Sequence, residues 1–440
     1  MRKTLIVTAY LLVSALVFVA TWQLAGRGDN NVAPPATVQQ PGEGTPTTEP
    51  GGVPTGTENT SPAETVPDGN QVPGAGSLTT KLLEPPHAAE LARRLSSYMA
   101  LEGVNPLAAA RVVTYSIITY GDVKRPDGRL GLISTASAGT ENREALHAAA
   151  WVAAEVAELP GMKKDILEWV DAPAGRTKTV VDAVLSRAAG DGYAEAGKTK
   201  GAGFTGELGW RPGGTVFPDG LEPGWGSLKP ILGKAGCSVP DPKTDTLKAQ
   251  YPAVKEAVAK VSETVDDQQA FETFAKDNRY YWLNTPVLNP AMIALGAYVT
   301  TTGETRVDME PDAEIRAIYA LAGTYDTLIT TWGAKWKHGV AGPLDLFPIK
   351  DSDGDVVFHT SAPSYPSWVG AFQAFMEDYA SSSTGKTLTF AAADDRMGMV
   401  DAAERSLEDP LMHWAEDIAA GRDLGSCYAK HAFEALKNNK

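Results

Sequence analysis

Three stretches carry the side chains best suited to chemistry. Trp332–Pro343 reads WGAKWKHGVAGP and brings Lys335, Lys337 and His338 close together. Pro363–Phe375 reads PSYPSWVGAFQAF, a turn running into a helix. Proline suits a helix start because its missing N–H would be unpaired there anyway. Beyond Pro366, the N–H groups of Ser367, Trp368 and Val369 lack intrahelical partners and sit at the positive end of the helix dipole, which makes an anion site. In Met399–Gly425, His413 and Asp417 are spaced to share a helix face. A carboxylate there can hold one imidazole nitrogen and leave the other free to attack or to coordinate. Lysine, helix start and histidine together describe chemistry on an oxyanion, with Lys335 pointing inward at it.

Each stretch has a plainer use. Cations suit the C-terminal end of a helix whether or not they touch a ligand. Most helix starts bind water, and a His–Asp pair at this spacing is common on helix surfaces. Other residues read more simply still. Asp351–Asp355 resembles the start of a calcium loop, but Ala362 stands where its closing Glu belongs, so it reads as a turn. His359 reads as a solvated loop residue, and His87, His147 and His431 sit on helix-like stretches without partner spacing.

The elements that must position these groups are helical. Asn105–Tyr120 is apolar on most sides and reads as a buried helix. Glu141–Leu159, Met162–Val170 and Thr177–Gly190 supply three more. Asp266-x-x-Gln269 resembles a capping box opening another. Pro311–Trp332 carries Ile315, Ile318, Tyr319, Ala322, Tyr325, Ile329 and Trp332 at helical spacing and leads to Lys335. Gly201–Gly236 is loop-like, with Trp210 and Trp225 expected to anchor it at the surface. Strand signals are few. The body, residues 79–440, is therefore expected to be an all-α domain of two packed helical bundles.

Two segments precede that body. Arg2 and Lys3 come before an uncharged run, Thr4–Gly26, long enough to cross a bilayer. The basic start favours a cytoplasmic N-terminus. No small-x-small cleavage site stands out, so residues 1–26 read as an uncleaved anchor in preference to a removed signal peptide. Residues 27–78, rich in Pro, Gly and Thr, hold too few large apolar side chains to offset chain entropy and read as a disordered tether. This arrangement places the body outside the cytoplasm, membrane-anchored or secreted. The net charge of −15 excludes general nucleic-acid binding, which needs clustered Lys and Arg. Two cysteines, Cys237 and Cys427, lack metal-ligand spacing and read equally as a disulfide of an exported protein or as two buried thiols. Helix faces also leave room for a homodimer.

Taken together, the three stretches resemble the vanadium-dependent haloperoxidases and the related type 2 phosphatidic acid phosphatases. That family has a Lys, six residues, then Arg-Pro; next Pro-Ser-Gly-His; then Ser-Arg, five residues, a His, and an Asp four later. Lys335 is followed at that spacing by Gly342-Pro343, Pro366-Ser367 by Trp368-Val369, and Ser406-Leu407 by His413 and Asp417. Asp326 and Trp332, the Trp210–Gly213 loop, Gly421, Gly425 and the early AARV helix extend the likeness over residues 79–440. The resemblance implies the family's helical bundles. It implies a phosphate- or vanadate-type anion, or a phosphoester, held by Lys335, Ser367, Trp368 and nearby backbone. His413 would be the nucleophile or the vanadate ligand, and Asp417 would orient it.

The departures are specific. Gly342 and Leu407 stand where the family has its two Arg, Val369 where it has its acid–base His, and Trp368 where a Gly lets the anion approach the backbone. Neither Gly nor Leu replaces a permanent charge with a fork of donors. Arg405, Lys337 and His338 are the nearest substitutes in sequence. Losing a general acid lowers a rate by about 10²–10⁴-fold, and losing charge clamps adds to this. Two expectations follow: a binding module with lapsed catalysis, or an active vanadium-dependent haloperoxidase or phosphoester hydrolase working through His413.

Overall fold

The computed structural model describes residues 82, 84–85, 87–125, 131–134, 138–212, 219–264, 311–348, 356, 360–385 and 413–438. The expected anchor (1–26), tether (27–78), the capping box at Asp266, the Asp351–Asp355 turn, His359, and Arg405, Ser406 and Leu407 lie outside the described residues.

The first half of the body is a layer of five helices: α1 (Ala88–Leu101), α2 (Pro106–Lys124), α3 (Asn142–Ala157), α4 (Pro160–Leu167) and α5 (Gly175–Ala189). Asn105 caps α2 by accepting the Ala108 N–H at 2.9 Å, with Pro106 at the first helical position. From Pro106 to Val123 nearly every α2 side chain is buried, as its all-round apolar sequence requires. Two short helices, α6 (Tyr193–Ala196) and α7 (Thr244–Ala249), and the longer α8 (Tyr251–Thr264) lead to the second half. There α9 (Pro311–His338), α10 (Pro343–Leu346), α11 (Trp368–Thr384) and α12 (Ala415–Asn438) carry the three chemical stretches. Among the described residues β structure is confined to isolated bridges, one of them pairing Gly209 with Val340.

The two halves pack directly on each other. One apolar core runs from Leu82 through α2, α3 and α9 to Leu436. Tyr115 of α2 meets Tyr325 of α9 edge-on at 6.5 Å inside it. A smaller cluster of Leu247, Val254, Val340, Tyr365, Trp414 and Ala420 gathers where α12 begins. The loop tryptophans are core residues, not surface anchors: Trp210 and Trp225 are both 0% exposed. The Trp210 Nε1–H donates to Thr360 Oγ1 at 2.9 Å, and Trp225 packs edge-on against Tyr193 and Tyr325. Cys237 and Cys427 form a disulfide, tying the loop before α7 to α12. Among the described residues no helix is long and apolar enough to cross a membrane.

Close contact of α11 with α12 sets the geometry around the chemical residues. A Cβ on Gly421 would sit 2.3 Å from Ser367 O, and one on Gly425 2.0 Å from Ala371 O. The two backbones therefore touch, and only hydrogen fits between them.

Candidate oxyanion site

Lys335 lies in the last turn of α9 and points inward, 5% exposed. Its Nζ donates to Pro363 O at 2.8 Å and to Ser364 O at 2.7 Å. Burial lowers its pKa, while Asp417 and, behind it, Asp345 hold the charged form. Dipole compensation at a helix surface does not describe such a residue. Lys337 and His338 turn elsewhere, both toward the exposed Asp241, at 3.7 and 3.6 Å. They do not substitute for the absent Arg side chains.

Gly342 opens α10, its N–H donating to Asp345 Oδ2 at 2.9 Å. Asp345 also accepts from Thr360 through its N–H at 3.2 Å and its hydroxyl at 2.7 Å. The following turn is pinned by the Ser364 N–H to Val340 O at 2.7 Å and by the Tyr365 hydroxyl to Pro240 O at 2.8 Å. The Tyr365–Pro366 peptide is cis.

Ser367 is the N-cap of α11, fully buried, its Oγ accepting the Gly370 N–H at 3.2 Å. Its own N–H donates to Asp417 O at 2.8 Å. That N–H is therefore not offered to an anion, in contrast to the expected cradle of three outward amides. The close α11–α12 contact brings the carbonyl to it. The Trp368 indole belongs to the main core beside Phe372, ring centroids 5.9 Å apart, and Val369 is buried with it.

His413 and Asp417 do not share a helix face. α12 starts at Ala415, Trp414 is its N-terminal flank, and His413 precedes that. Asp417 Oδ2 instead accepts the Trp414 N–H at 3.2 Å, capping the helix start from within. Trp414 is itself fixed by its indole N–H to Ala341 O at 2.8 Å. Among the described residues Asp417 Oδ1 and His413 Nδ1 are buried without a hydrogen-bond partner. Asp417 thus does not orient His413 by a hydrogen bond. Burial first and the Lys335 charge second push His413 down to about 3, so its imidazole is neutral. Burial raises the Asp417 carboxyl, with Lys335 and the nearby Ser364 hydroxyl opposing. That hydroxyl also bonds Val340 O at 3.3 Å.

Lys335, Ser367 and Asp417 are thus linked in one buried polar cluster, with His413 within the field of Lys335. Sequence reasoning missed the roles of Pro363 and Ser364 as carbonyl partners of the lysine, since backbone acceptors leave no residue signal. It also missed Asp417 as a helix cap. The Trp414-x-x-Asp417 spacing carries that signal, masked by a tryptophan where Ser, Thr, Asp or Asn is usual.

The order and packing of these helices define the fold of the vanadium-dependent haloperoxidases. The chain superposes on a bacterial vanadium-dependent iodoperoxidase with a TM-score of 0.53 at 13% identity, covering 78% of this chain and 94% of that one. A bacterial vanadium-dependent chloroperoxidase in its apo form gives 0.53 at 12%, over 76% and 93%. No family model and no curated protein matches the sequence itself.

Among the described residues, the donors that the resemblance assigns to vanadate are largely engaged with the protein itself. The described residues offer a negatively charged group a single buried cation, Lys335, already shared between two carbonyls and facing a buried carboxyl. Gly342 leaves its position without charge: a Cβ there would lie 3.4 Å from Asp345 Oδ2 and 3.5 Å from Ser364 Cβ.

Proposed function

We propose that this chain is a haloperoxidase-fold protein whose phosphate-type oxyanion site has lapsed in catalysis and serves as a binding module. The observation that carries this reading is the state of Lys335. The one buried cation that the described residues bring to the site is satisfied by Pro363 O and Ser364 O, and Ser367 is spent on Asp417 and Gly370. A catalytic oxyanion site needs donors held ready for charge that develops in the transition state. Here they are committed to the protein, and no acid–base His stands at Val369. What remains can hold a small phosphate-like anion or the head of a phosphoester, with Lys335 giving way from its carbonyls.

The alternative, an active vanadium-dependent haloperoxidase or phosphoester hydrolase, is favoured by one feature: the buried, neutral imidazole of His413 with an unpartnered Nδ1. The location proposed is outside the cytoplasm, with residues 1–26 as anchor and 27–78 as tether. The Cys237–Cys427 bond supports it, since disulfides persist in oxidising compartments.

The test is an assay of the purified full chain with a generic phosphomonoester, and separately with vanadate, bromide and peroxide. The lapsed-site reading expects no turnover above background, unchanged in His413→Ala. Turnover that His413→Ala abolishes would establish the enzyme instead.

A further inference from the structure

We propose that one proton on Asp417 switches the site: the chain takes a tetrahedral oxyanion when this carboxyl is neutral and rejects it when the carboxyl is charged. The proposal rests on the reading of the site as an anion-binding module.

Asp417 is 0% exposed and its two oxygens are unlike. Oδ2 holds the Trp414 N–H, while Oδ1 makes no close hydrogen bond among the described residues: the nearby Ser364 hydroxyl, which acts on the carboxyl, is directed to Val340 O at 3.3 Å. A buried acceptor left unpaired costs free energy and calls for an explanation. As a carboxylate, Asp417 repels an incoming anion and draws on the charge of Lys335, the cation that the described residues bring to the site. Protonated, its free oxygen becomes a donor beside the lysine, and the site is one charge more positive. A proton from solvent thus replaces part of what an Arg would give permanently.

The groups around Asp417 leave it as the one to take that proton. Lys335 faces it from α9, the Ser364 hydroxyl and the Tyr365 ring from the turn before α11, and Glu416 from its own helix. Asp345 faces Lys335 from α10 and is held by Gly342 and Thr360. Burial, with Glu416 and Asp417 adding to it, pushes the Tyr365 hydroxyl up to about 12, out of the range that matters. His413 is held neutral to about 3. His338, across the Tyr365 ring at 5.4 Å, has its pKa lowered by burial and by Lys337. Burial raises the Asp417 carboxyl toward neutrality.

Calorimetric titration of the full chain with sulfate between pH 5.5 and 8 tests this. Sulfate keeps its charge over that range, whereas phosphate changes its own. Binding should be at least tenfold tighter at pH 5.5 than at pH 8, with about one proton taken up per sulfate on the alkaline side, counted from heats in buffers of different ionisation enthalpy. Asp417→Asn keeps an oxygen for the Trp414 N–H and removes the charge. At pH 8 it should bind sulfate at least tenfold more tightly than the unaltered chain. Titration of Lys335 alone would give no such gain, because losing Asp417 makes the lysine easier to deprotonate. His413→Asn should weaken binding yet keep the proton uptake. Sulfate binding without proton uptake, no gain in Asp417→Asn, or uptake lost in His413→Asn would each overturn the proposal and leave the binding-module reading intact. Binding at no pH would overturn both. Should Asp417→Asn fail to fold, the proton count on the unaltered chain decides.

Discussion

Asp326, Asp417 and Asp122 are carboxyls placed where water does not reach, and each is employed differently. Asp326 accepts the N–H groups of Ile231 and Leu232 at 2.6 and 2.7 Å, yet burial still pushes it up to about 7. Asp122 accepts from Leu132, Ile133 and Ser134 and is pushed up to about 6. Asp417 is raised by the same cause against the pull of Lys335. A carboxyl whose folded pKa lies above its unfolded value binds its proton more readily when folded, so stability rises as pH falls through the folded pKa. Lys335, with its pKa lowered, works weakly the other way. Between pH 8 and 6.5 the carboxyls win, and the unfolding free energy should rise by roughly 1 kcal/mol. His413, held neutral when folded, opposes over the same interval and more strongly below it, as the unfolded imidazole takes up its proton. Urea titrations across the interval check this, and a fall in stability from pH 8 to 6.5 would contradict it. The sequence marked Lys335, Ser367, His413 and Asp417 as a group through type and spacing. It did not reveal which hydrogen bonds they make, because those depend on Pro363 O, Ser364 O and the α12 start, which are matters of backbone path.

Helix α9 was legible from Ile315 to Trp332 because its apolar residues repeat at helical spacing on a buried face. α11 was legible from the Pro366-Ser367 turn, with Ser367 as its N-cap and the proline just outside the helix. α12 was harder, since His413 and Asp417 look like one helical face while the helix begins between them. What holds these elements together is the backbone contact of α11 with α12. An Ala at Gly421 would drive its Cβ to 2.3 Å from Ser367 O, a backbone atom that cannot swing aside. The helices would have to part, and the Ser367 N–H to Asp417 O bond would stretch with them. Gly421→Ala should cost about 2 kcal/mol, within the usual range for overpacking, and should weaken sulfate binding too. A loss below about 0.5 kcal/mol, the scale of a neutral surface change, would show that the contact is looser than described.

At the scale of the molecule, the two halves join in one body because α2 and α9 share a core. The sequence could not show this, since a helix buried on all sides does not say which neighbours bury it. The loop from Lys229 to Lys243 crosses this body as a strap. Its Lys229 N–H donates to Asp191 O at 2.8 Å, Ile231 and Leu232 bond Asp326, Cys237 joins Cys427, and the Lys243 N–H reaches Glu416 at 2.8 Å. Pro240 on the same strap receives the Tyr365 hydroxyl, so the strap steadies the turn that presents Pro363 O and Ser364 O to Lys335. The likeness to the iodo- and chloroperoxidases lies in this scaffold, at 13% and 12% identity. The most direct measurement is a crystal structure of the chain grown at pH 5.5 with sulfate. The account expects one sulfate contacting Lys335 Nζ beside His413, with Ser367 and Asp417 in the same wall. Lys335, Ser367 and His413 on separate faces, or sulfate bound only elsewhere, would contradict it.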